Sequence, residues 1–273
     1  MPRRTTPKGP FTGRLLLALA LAATIAWSAP ADAQGEALST EQLVDLLKVV
    51  DDRQRNSGDY KSLAYIEQRE KDKELMVYEA VVYRRDADDR FMILFTRPKA
   101  EAGKGYLRID KNLFIYDPTV GKWERRTERE RIGGTDSRRT DFDESRLAEE
   151  YDPSYVGRET LGKFTVHHLK LTAKKDVDVA YPVLELWIDA DSQNILKAQD
   201  RALSGKLMRT VYYPQWVKVF SESKGAEVYV PKEIHIYDEV EKGNQTHVVI
   251  RSVDLKSLPA NIFTKAWLES QSR

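Results

Sequence analysis

The segment that decides the fold runs from Gly105 to Phe142 and reads GYLRIDKNLFIYDPTVGKWERRTERERIGGTDSRRTDF. Apolar residues recur at alternate positions in its first two runs, which predicts two short β-strands. Lys111-Asn112 is the predicted two-residue turn between these strands. On that register, one face of the hairpin carries Leu107, Ile109, Phe114 and Tyr116. The segment therefore predicts a curved antiparallel sheet with a large apolar inner surface.

An amphipathic helix is predicted near the start of the chain, from Thr40 to Arg55. Ser39 and Gln42 have the spacing of a capping box, in which each side chain bonds to the backbone of the other residue. The apolar residues that follow at helical spacing are Leu43, Leu46, Leu47 and Val50. We expect this helix to cover the concave face of the sheet.

The rest of the chain predicts a long meander of antiparallel strands. Besides the hairpin, the predicted strands are 60–69, 74–84, 90–97, 164–172, 183–189, 195–202, 207–219, 228–237 and 246–253. Short helices are predicted at 142–151 and 263–268. The fold class is therefore mainly β: a single strongly bent antiparallel sheet, or incomplete β-barrel, of about ten to eleven strands with covering helices. A sandwich of two sheets is the alternative.

The first 33 residues have the pattern of a cleaved signal peptide. Basic residues precede an apolar run from Leu15 to Trp27, and Ala31-Asp32-Ala33 is a small-x-small cleavage site. The apolar run is shorter than the roughly 20 residues that span a bilayer. We therefore expect export to the periplasm and a single mature domain over residues 34–273.

Charge and cysteine content exclude some classes of function. Loss of the signal peptide lowers the basic residues from 44 to 40 and the acidic residues from 43 to 42, so the mature net charge is −2. A nucleic-acid-binding protein would carry a clustered basic excess, so we expect no nucleic-acid partner. The chain has no cysteine, so packing alone must stabilise it. We expect a monomer.

The pattern of polar residues does not indicate an enzyme. The four histidines, His167, His168, His235 and His247, lack the spacing of metal ligands, and no nucleophile or phosphate-loop motif is present. The one acidic cluster, Asp136, Asp141, Asp143 and Glu144, is interrupted by two arginines that would keep its carboxylates ionised. We interpret this cluster as ion pairs and a helix cap, with Asp141 or Asp143 at the helix start. No catalytic residue, metal or cofactor is predicted.

Several segments resemble the LolA-like outer-membrane lipoprotein-sorting proteins. In order along the chain they are NLFIYDP at 112–118, GKWERR at 121–126, GTDS at 134–137, TDF at 140–142, ALSGKLMR at 202–209 and LPANIF at 258–263. The resemblance implies a hydrophobic cavity between a half-closed barrel and covering helices, where acyl chains are held. The residues then expected to line the cavity are Leu43, Leu47, Leu107, Ile109, Phe114, Tyr116, Leu184, Leu186 and Ile188.

Two functions are consistent with this resemblance. The first is a periplasmic carrier that shields the acyl chains of a lipoprotein or lipid during transfer between the inner and outer membranes. An inner-membrane exporter and an outer-membrane receptor would then be its partners. The alternative is a periplasmic sensor or accessory interaction protein of an envelope complex, because the same fold can serve either role.

The signal-peptide assignment predicts a mature chain that begins at Gln34. N-terminal sequencing of the protein from a periplasmic extract measures this directly. Recovery in the membrane fraction with residues 1–33 still attached would contradict the assignment.

Overall fold

The computed structural model describes residues 37–54, 58–109, 112–126, 131–138, 141 and 145–272. The predicted signal peptide lies outside these residues, so its removal and the domain boundary at residue 34 stay predictions. Within the described ranges, every helix is too short or too polar to cross a membrane.

Thirteen strands and three α-helices make up the described chain. In chain order they are α1 (Thr40–Gln54), β1 (Asp59–Arg69), β2 (Met76–Arg85), β3 (Arg90–Arg97), β4 (Gly105–Ile109), β5 (Asn112–Asp117), β6 (Lys122–Arg126), α2 (Leu147–Glu150), β7 (Tyr151–Leu161), β8 (Phe164–Ala173), β9 (Val183–Asp189), β10 (Ile195–Arg201), β11 (Leu207–Ser221), β12 (Ala226–Asp238), β13 (Gln245–Asp254) and α3 (Lys265–Gln271).

All thirteen strands belong to one antiparallel sheet, in the order β6-β5-β4-β3-β2-β1-β13-β12-β11-β10-β9-β8-β7. The predicted fold class is confirmed, but the predicted number of strands is too low. The two strands that the sequence did not predict are β6 and β7, which form the two edges of the sheet. An edge strand pairs on one side only and is often rich in charged residues, so its apolar periodicity is weak.

The predicted turn of the β4–β5 hairpin is wrong by one position. Ile109 pairs with Asn112, and Leu107 pairs with Phe114, so Asn112 is the first residue of β5 and not a turn residue. The pairing shifts by two residues, so each side chain stays on its predicted face of the hairpin.

Helix α1 packs on the concave face of the sheet, over strands β8 to β10. The capping box is confirmed: Ser39 N–H donates to Gln42 Oε1 at 2.8 Å, and Gln42 N–H donates to Ser39 Oγ at 3.3 Å. The helix buries Leu43, Leu46, Leu47 and Val50 in a core with Leu169, Leu171, Leu186, Ile188 and Ile195. The apolar face of α1 thus covers one half of the concave surface.

The short helix α2 is capped by a residue of α1. Asp51, which is buried, accepts hydrogen bonds from the backbone N–H groups of Leu147 and Ala148 at 2.9 and 3.0 Å, and from Ser145 Oγ at 2.6 Å. The predicted cap by Asp141 is therefore wrong, and Asp143 lies outside the described residues. The cap comes from a distant residue because the two helices lie side by side.

The convex face of β2 to β6 is covered by the C-terminal segment. Ile262, Phe263 and Leu268 are buried against Met92 and Leu107. At the sheet edge, Trp123 Nε1 donates to Glu269 of α3 at 2.6 Å. This half of the sheet is therefore packed on its convex side by α3 and the residues before it.

The packing of α1 predicts a large loss of stability on replacing Leu47 by Ala. Leu47 is 0% exposed, so the substitution leaves a cavity and should lower the free energy of unfolding by about 2–5 kcal/mol. The matched control is Lys48→Ala at the next, exposed position, which should change it by less than about 0.5 kcal/mol. Urea unfolding of both variants measures the difference. If both variants change the free energy of unfolding by the same small amount, this face of α1 is not packed against the sheet.

Candidate functional site

The concave face encloses a cavity of about 200 Å³ between its two halves. Its walls are inward-facing residues of β1, β2, β3, β11, β12 and β13. The apolar members are Ala64, Ile66, Ala80, Val82, Ile93, Phe95, Val211, Val230, Pro231, Ile234, Ile236, Val248 and Ile250. Because residues of six adjacent strands surround one space, the sheet is strongly bent at this point.

One end of the cavity is closed by residues 131–138, which we call the strap. Ile132 of the strap is buried against Phe95, and Gly133 N–H donates to the Tyr106 hydroxyl at 2.9 Å. Gly133 has φ +60°, and a Cβ atom there would lie 2.6 Å from the Phe95 ring. Only glycine combines this backbone conformation with so close an approach to the ring.

A buried polar network fastens the strap to the sheet. Thr246 Oγ1 of β13 accepts a hydrogen bond from the backbone N–H of Asp136 at 2.8 Å, and it lies 3.0 Å from Asp136 Oδ2. The same hydroxyl donates a hydrogen bond to the Gln68 side-chain oxygen. Gln68 Nε2 donates to Asp136 Oδ2 at 3.4 Å. The GTDS segment of the sequence is therefore the anchor of the strap.

Arg131 links the carboxylates of Asp136 and Asp238. Its Nη1 lies 3.3 Å from Asp136 Oδ1, and its Nη2 lies 2.7 Å from Asp238 Oδ2. Burial raises the pKa of Asp136, and the hydrogen bond from Thr246 and the charge of Arg131 oppose this rise only in part. The sequence predicted that Arg138 and Arg139 would pair with the carboxylates of this cluster, and the arginine that contacts Asp136 is Arg131.

A second buried ion cluster holds Asp141, which also lines the cavity. Arg209 of β11 binds Asp141 through two nitrogens at 2.7 and 2.8 Å, and its Nε binds Asp200 at 2.6 Å. Tyr213 lies close by on the wall, and burial raises the pKa of its hydroxyl. The TDF and ALSGKLMR segments of the sequence thus supply the two sides of this cluster, through Asp141 and Arg209.

The other end of the cavity lies beside the last turn of α1 and the first residues of β1, and it is polar. Polar and aromatic residues that line this end are Arg53, Gln54, Tyr60, Ser62, Arg84, Trp216 and Tyr229. The Arg53 guanidinium lies 4.8 Å above the Tyr229 ring, and its Nη1 donates to Asn194 Oδ1 at 2.8 Å and to the Ser192 carbonyl. The cavity therefore has one end that the strap covers and another end where two guanidinium groups lie, with an aliphatic wall between them.

Eight of the nine residues predicted to line the cavity lie in two packed cores, one on each face of the sheet. Leu43, Leu47, Leu184, Leu186 and Ile188 belong to the core between α1 and the sheet. Leu107, Ile109 and Tyr116 pack with the C-terminal segment on the convex face, and the Lys265 ammonium of α3 lies 4.3 Å above the Phe114 ring. Within the described chain, the cavity wall includes none of the nine. Their contact with acyl chains stays a prediction.

The wall residues had a sequence signal that was interpreted as ordinary strand periodicity. In β1, the alternate residues Tyr60, Ser62, Ala64 and Ile66 face the cavity. The same alternation occurs in strands that face a solid core. Which face meets a cavity depends on the bend of the sheet, and periodicity does not encode that bend.

Three of the four histidines lie in a row of side chains across the convex face, whereas His167 faces the other side of β8, where its Nδ1 lies 3.2 Å from the Tyr155 hydroxyl. Directly paired positions on β8 to β13 carry His168, Trp187, Lys197, Tyr212, His235 and His247. The rings of His235 and His247 stack at 4.2 Å, and those of His168 and Trp187 at 4.1 Å. His168 Nδ1 lies 2.7 Å from Glu159. In the described part of the chain, no three His, Asp or Glu side chains are arranged to hold a metal ion.

Comparison with known proteins identifies the family and the fold. The family model that matches covers residues 87–270 and carries the description "Uncharacterized protein". None of the curated protein sequences matches the chain.

Three solved structures have similar folds at low sequence identity. A DUF1329 family protein from Desulfovibrio piger is 19% identical with a TM-score of 0.73, over 84% of this chain and 98% of that one. An outer membrane lipoprotein-sorting protein domain from Vibrio parahaemolyticus is 16% identical with a TM-score of 0.72, and the match covers 85% of this chain and 100% of that one. A LolA superfamily protein from Nitrosomonas europaea is 21% identical with a TM-score of 0.66, and the match again covers 85% of this chain and 100% of that one. The fold is thus LolA-like.

The anchor of the strap predicts that Thr246→Val destabilises the protein. Valine keeps the shape of the side chain but leaves the buried N–H and carboxylate of Asp136 without the Thr246 hydroxyl, at a cost of about 1–3 kcal/mol. Urea unfolding measures the total loss in the free energy of unfolding. Hydrogen exchange of the strap amides shows whether the substitution destabilises the strap in particular. Thr165→Val, at an exposed position of β8, is the matched control and should change little. Unchanged exchange of the strap amides in Thr246→Val would contradict the anchoring role.

Proposed function

The chain belongs to the family whose model matches residues 87–270, and its fold is LolA-like; from that premise we propose that it is a non-enzymatic periplasmic carrier of acyl chains. It would shield the acyl chains of a lipoprotein or lipid during transfer between the inner and outer membranes. The observation that supports this most is the cavity on the concave face, whose wall is built mainly from aliphatic side chains.

The size and lining of the cavity favour a slender apolar ligand. Pockets that bury drug-sized molecules usually measure about 300–1,000 Å³, and the volume here, about 200 Å³, is smaller. An unbranched alkyl chain needs little width and has no polar group of its own that would be left unsatisfied against this wall. Each buried methylene contributes about 0.8 kcal/mol, so affinity rises with the length of chain enclosed.

The carrier role also needs a donor and an acceptor. Transfer proceeds only if the acceptor binds the cargo more tightly than the carrier does, since binding without release is not transport. The partners we propose are an inner-membrane exporter and an outer-membrane receptor. The signal-peptide pattern of residues 1–33 and the sorting function named for the Vibrio structure support a periplasmic location.

The proposal predicts that the purified protein binds N-phenyl-1-naphthylamine, an uncharged fluorescent probe of apolar sites. Filling the cavity by Ala64→Phe should weaken probe binding about tenfold or more, because Ala64 lies on the cavity wall. Fluorescence titration measures both affinities. Val230→Phe, on the β12 part of the wall, should have the same effect and serves if Ala64→Phe does not fold.

The matched control is Ala226→Phe, which adds the same ring at an exposed position of β12. It should bind the probe as the wild type does. Circular dichroism confirms that each variant is folded. Folded Ala64→Phe and Val230→Phe variants that bind the probe with unchanged affinity would place the probe outside the cavity and contradict the proposal.

A further inference from the structure

The inward face of β1 changes in polarity along its length. Tyr60 and Ser62 face the cavity near the start of the strand, Ala64 and Ile66 face it in the middle, and Gln68 meets the strap at the other end. A strand rises about 3.3 Å per residue, so the polar and apolar parts of this wall lie roughly 10 Å apart. A ligand that lies along the strand therefore meets two different environments.

Two guanidinium groups line the polar part of the cavity. Arg53 is on the last turn of α1, and Arg84 pairs with Tyr60 across β1 and β2. The third charged residue in the lining, Asp141, pairs with two nitrogens of Arg209, and Arg84 pairs with Asp86 through Nη2 at 3.0 Å. Among the described residues, Arg53 is therefore the charged group of the lining that forms no ion pair, and the charge that it presents to a ligand is positive.

Arg53 keeps part of its hydrogen-bonding capacity for a ligand. Its contacts with Ser192 and Asn194 both use Nη1, and a guanidinium has five N–H donors. Within the described residues, no acceptor is bound to its Nε or Nη2. Its fixed contacts with the β9–β10 turn and its stacking over Tyr229 hold the group in place, so binding a ligand orders it little further.

A second polar group points to a ligand at this end. Ser62 is 2% exposed and lines the cavity near the Tyr60 side chain, and its Oγ has no partner of hydrogen-bonding distance and angle among the described residues. Leaving a buried hydroxyl unpaired costs free energy. A ligand oxygen at this position would accept its hydrogen bond and remove that cost.

We propose that the cavity takes a single-chain lipid with an anionic head group, whose chain lies against the aliphatic wall and whose head lies among Arg53, Arg84 and Ser62. This inference rests on the proposed function and adds the chemical class of the ligand. The shared chemistry is an oxyanion on one alkyl chain, which either a fatty-acid carboxylate or a lysophospholipid phosphate supplies. Guanidinium donors favour both oxyanions over an uncharged hydroxyl.

The test measures how three ligands with the same chain displace N-phenyl-1-naphthylamine from the purified protein. The ligands are dodecanoate, dodecyl phosphate and dodecanol. A hydrogen bond to a charged group contributes about 1.5–3 kcal/mol, which corresponds to roughly 10-fold to 100-fold in affinity. The two anions should therefore displace the probe at concentrations at least about tenfold below that of dodecanol.

Arg53→Met tests the assigned residue, because methionine keeps an unbranched side chain without the charge. In this variant, the concentrations of the two anions that displace the probe should come close to the concentration of dodecanol that does so. Lys48→Met, on the exposed face of the same helix, is the matched control and should keep the preference for anions. If Arg53→Met does not fold, added salt replaces it: in the wild type, salt should weaken dodecanoate binding and not dodecanol binding.

Each outcome separates this inference from the carrier proposal. Equal displacement by dodecanoate, dodecyl phosphate and dodecanol overturns the anionic head group and leaves the acyl cavity in place. A preference for anions that Arg53→Met does not reduce overturns the assignment of Arg53. A protein that binds neither the probe nor any of the three ligands contradicts the carrier proposal itself. A stronger effect of dodecanoate or of dodecyl phosphate tells which of the two oxyanions the site prefers.

Discussion

An open sheet of thirteen strands has two faces, and most of this structure follows from how a few short elements cover them. Helix α1 covers the concave face over β8 to β10, and the strap covers it near β1 and β3. The C-terminal segment with α3 covers the convex face of β2 to β6. Between α1 and the strap, strands on the two sides of the bend face each other across a space that no helix or loop of the described chain fills. That space is the cavity. The site is therefore a consequence of incomplete covering, and no dedicated motif forms its wall.

The strap is fixed by buried polar contacts and not by apolar packing alone. Only Ile132 contributes a large apolar side chain to the packing of the strap, whereas Asp136 contacts Thr246, Gln68 and Arg131. Removing one partner from a buried charge typically costs about 3–5 kcal/mol. Such contacts permit one position of the strap and penalise others. This explains why the closed end of the cavity is well defined although the strap has almost no regular secondary structure.

The sequence predicted the fold class, the capping box and most of the strands, because each depends on local periodicity or on residues a few positions apart. It did not predict β6 and β7, whose edge positions weaken the apolar pattern. It also missed the cap of α2 by Asp51 and the stacking of His235 on His247. Both depend on residues that are distant in the chain and meet only in the folded sheet. For the same reason, sequence reasoning placed the candidate site on residues of the packed cores, whereas the cavity wall lies on neighbouring strands.

The two ends of the cavity differ in what it would cost to open them. At the strap, opening would separate Asp136 from Arg131 and Thr246. It would also disturb the neighbouring ion pair of Asp141 and Arg209. At the α1 end, the guanidinium of Arg53 contacts an uncharged carbonyl, an amide and an aromatic ring. Moving it away leaves no buried carboxylate without its partner, and water can replace these contacts. The proposed ligand would therefore enter and leave at a lower cost beside Arg53 at the end of α1, where Arg84 also lines the cavity. An anionic head group at that end would be the last part of the ligand to enter and the first to leave, which suits a carrier that must hand its cargo to an acceptor.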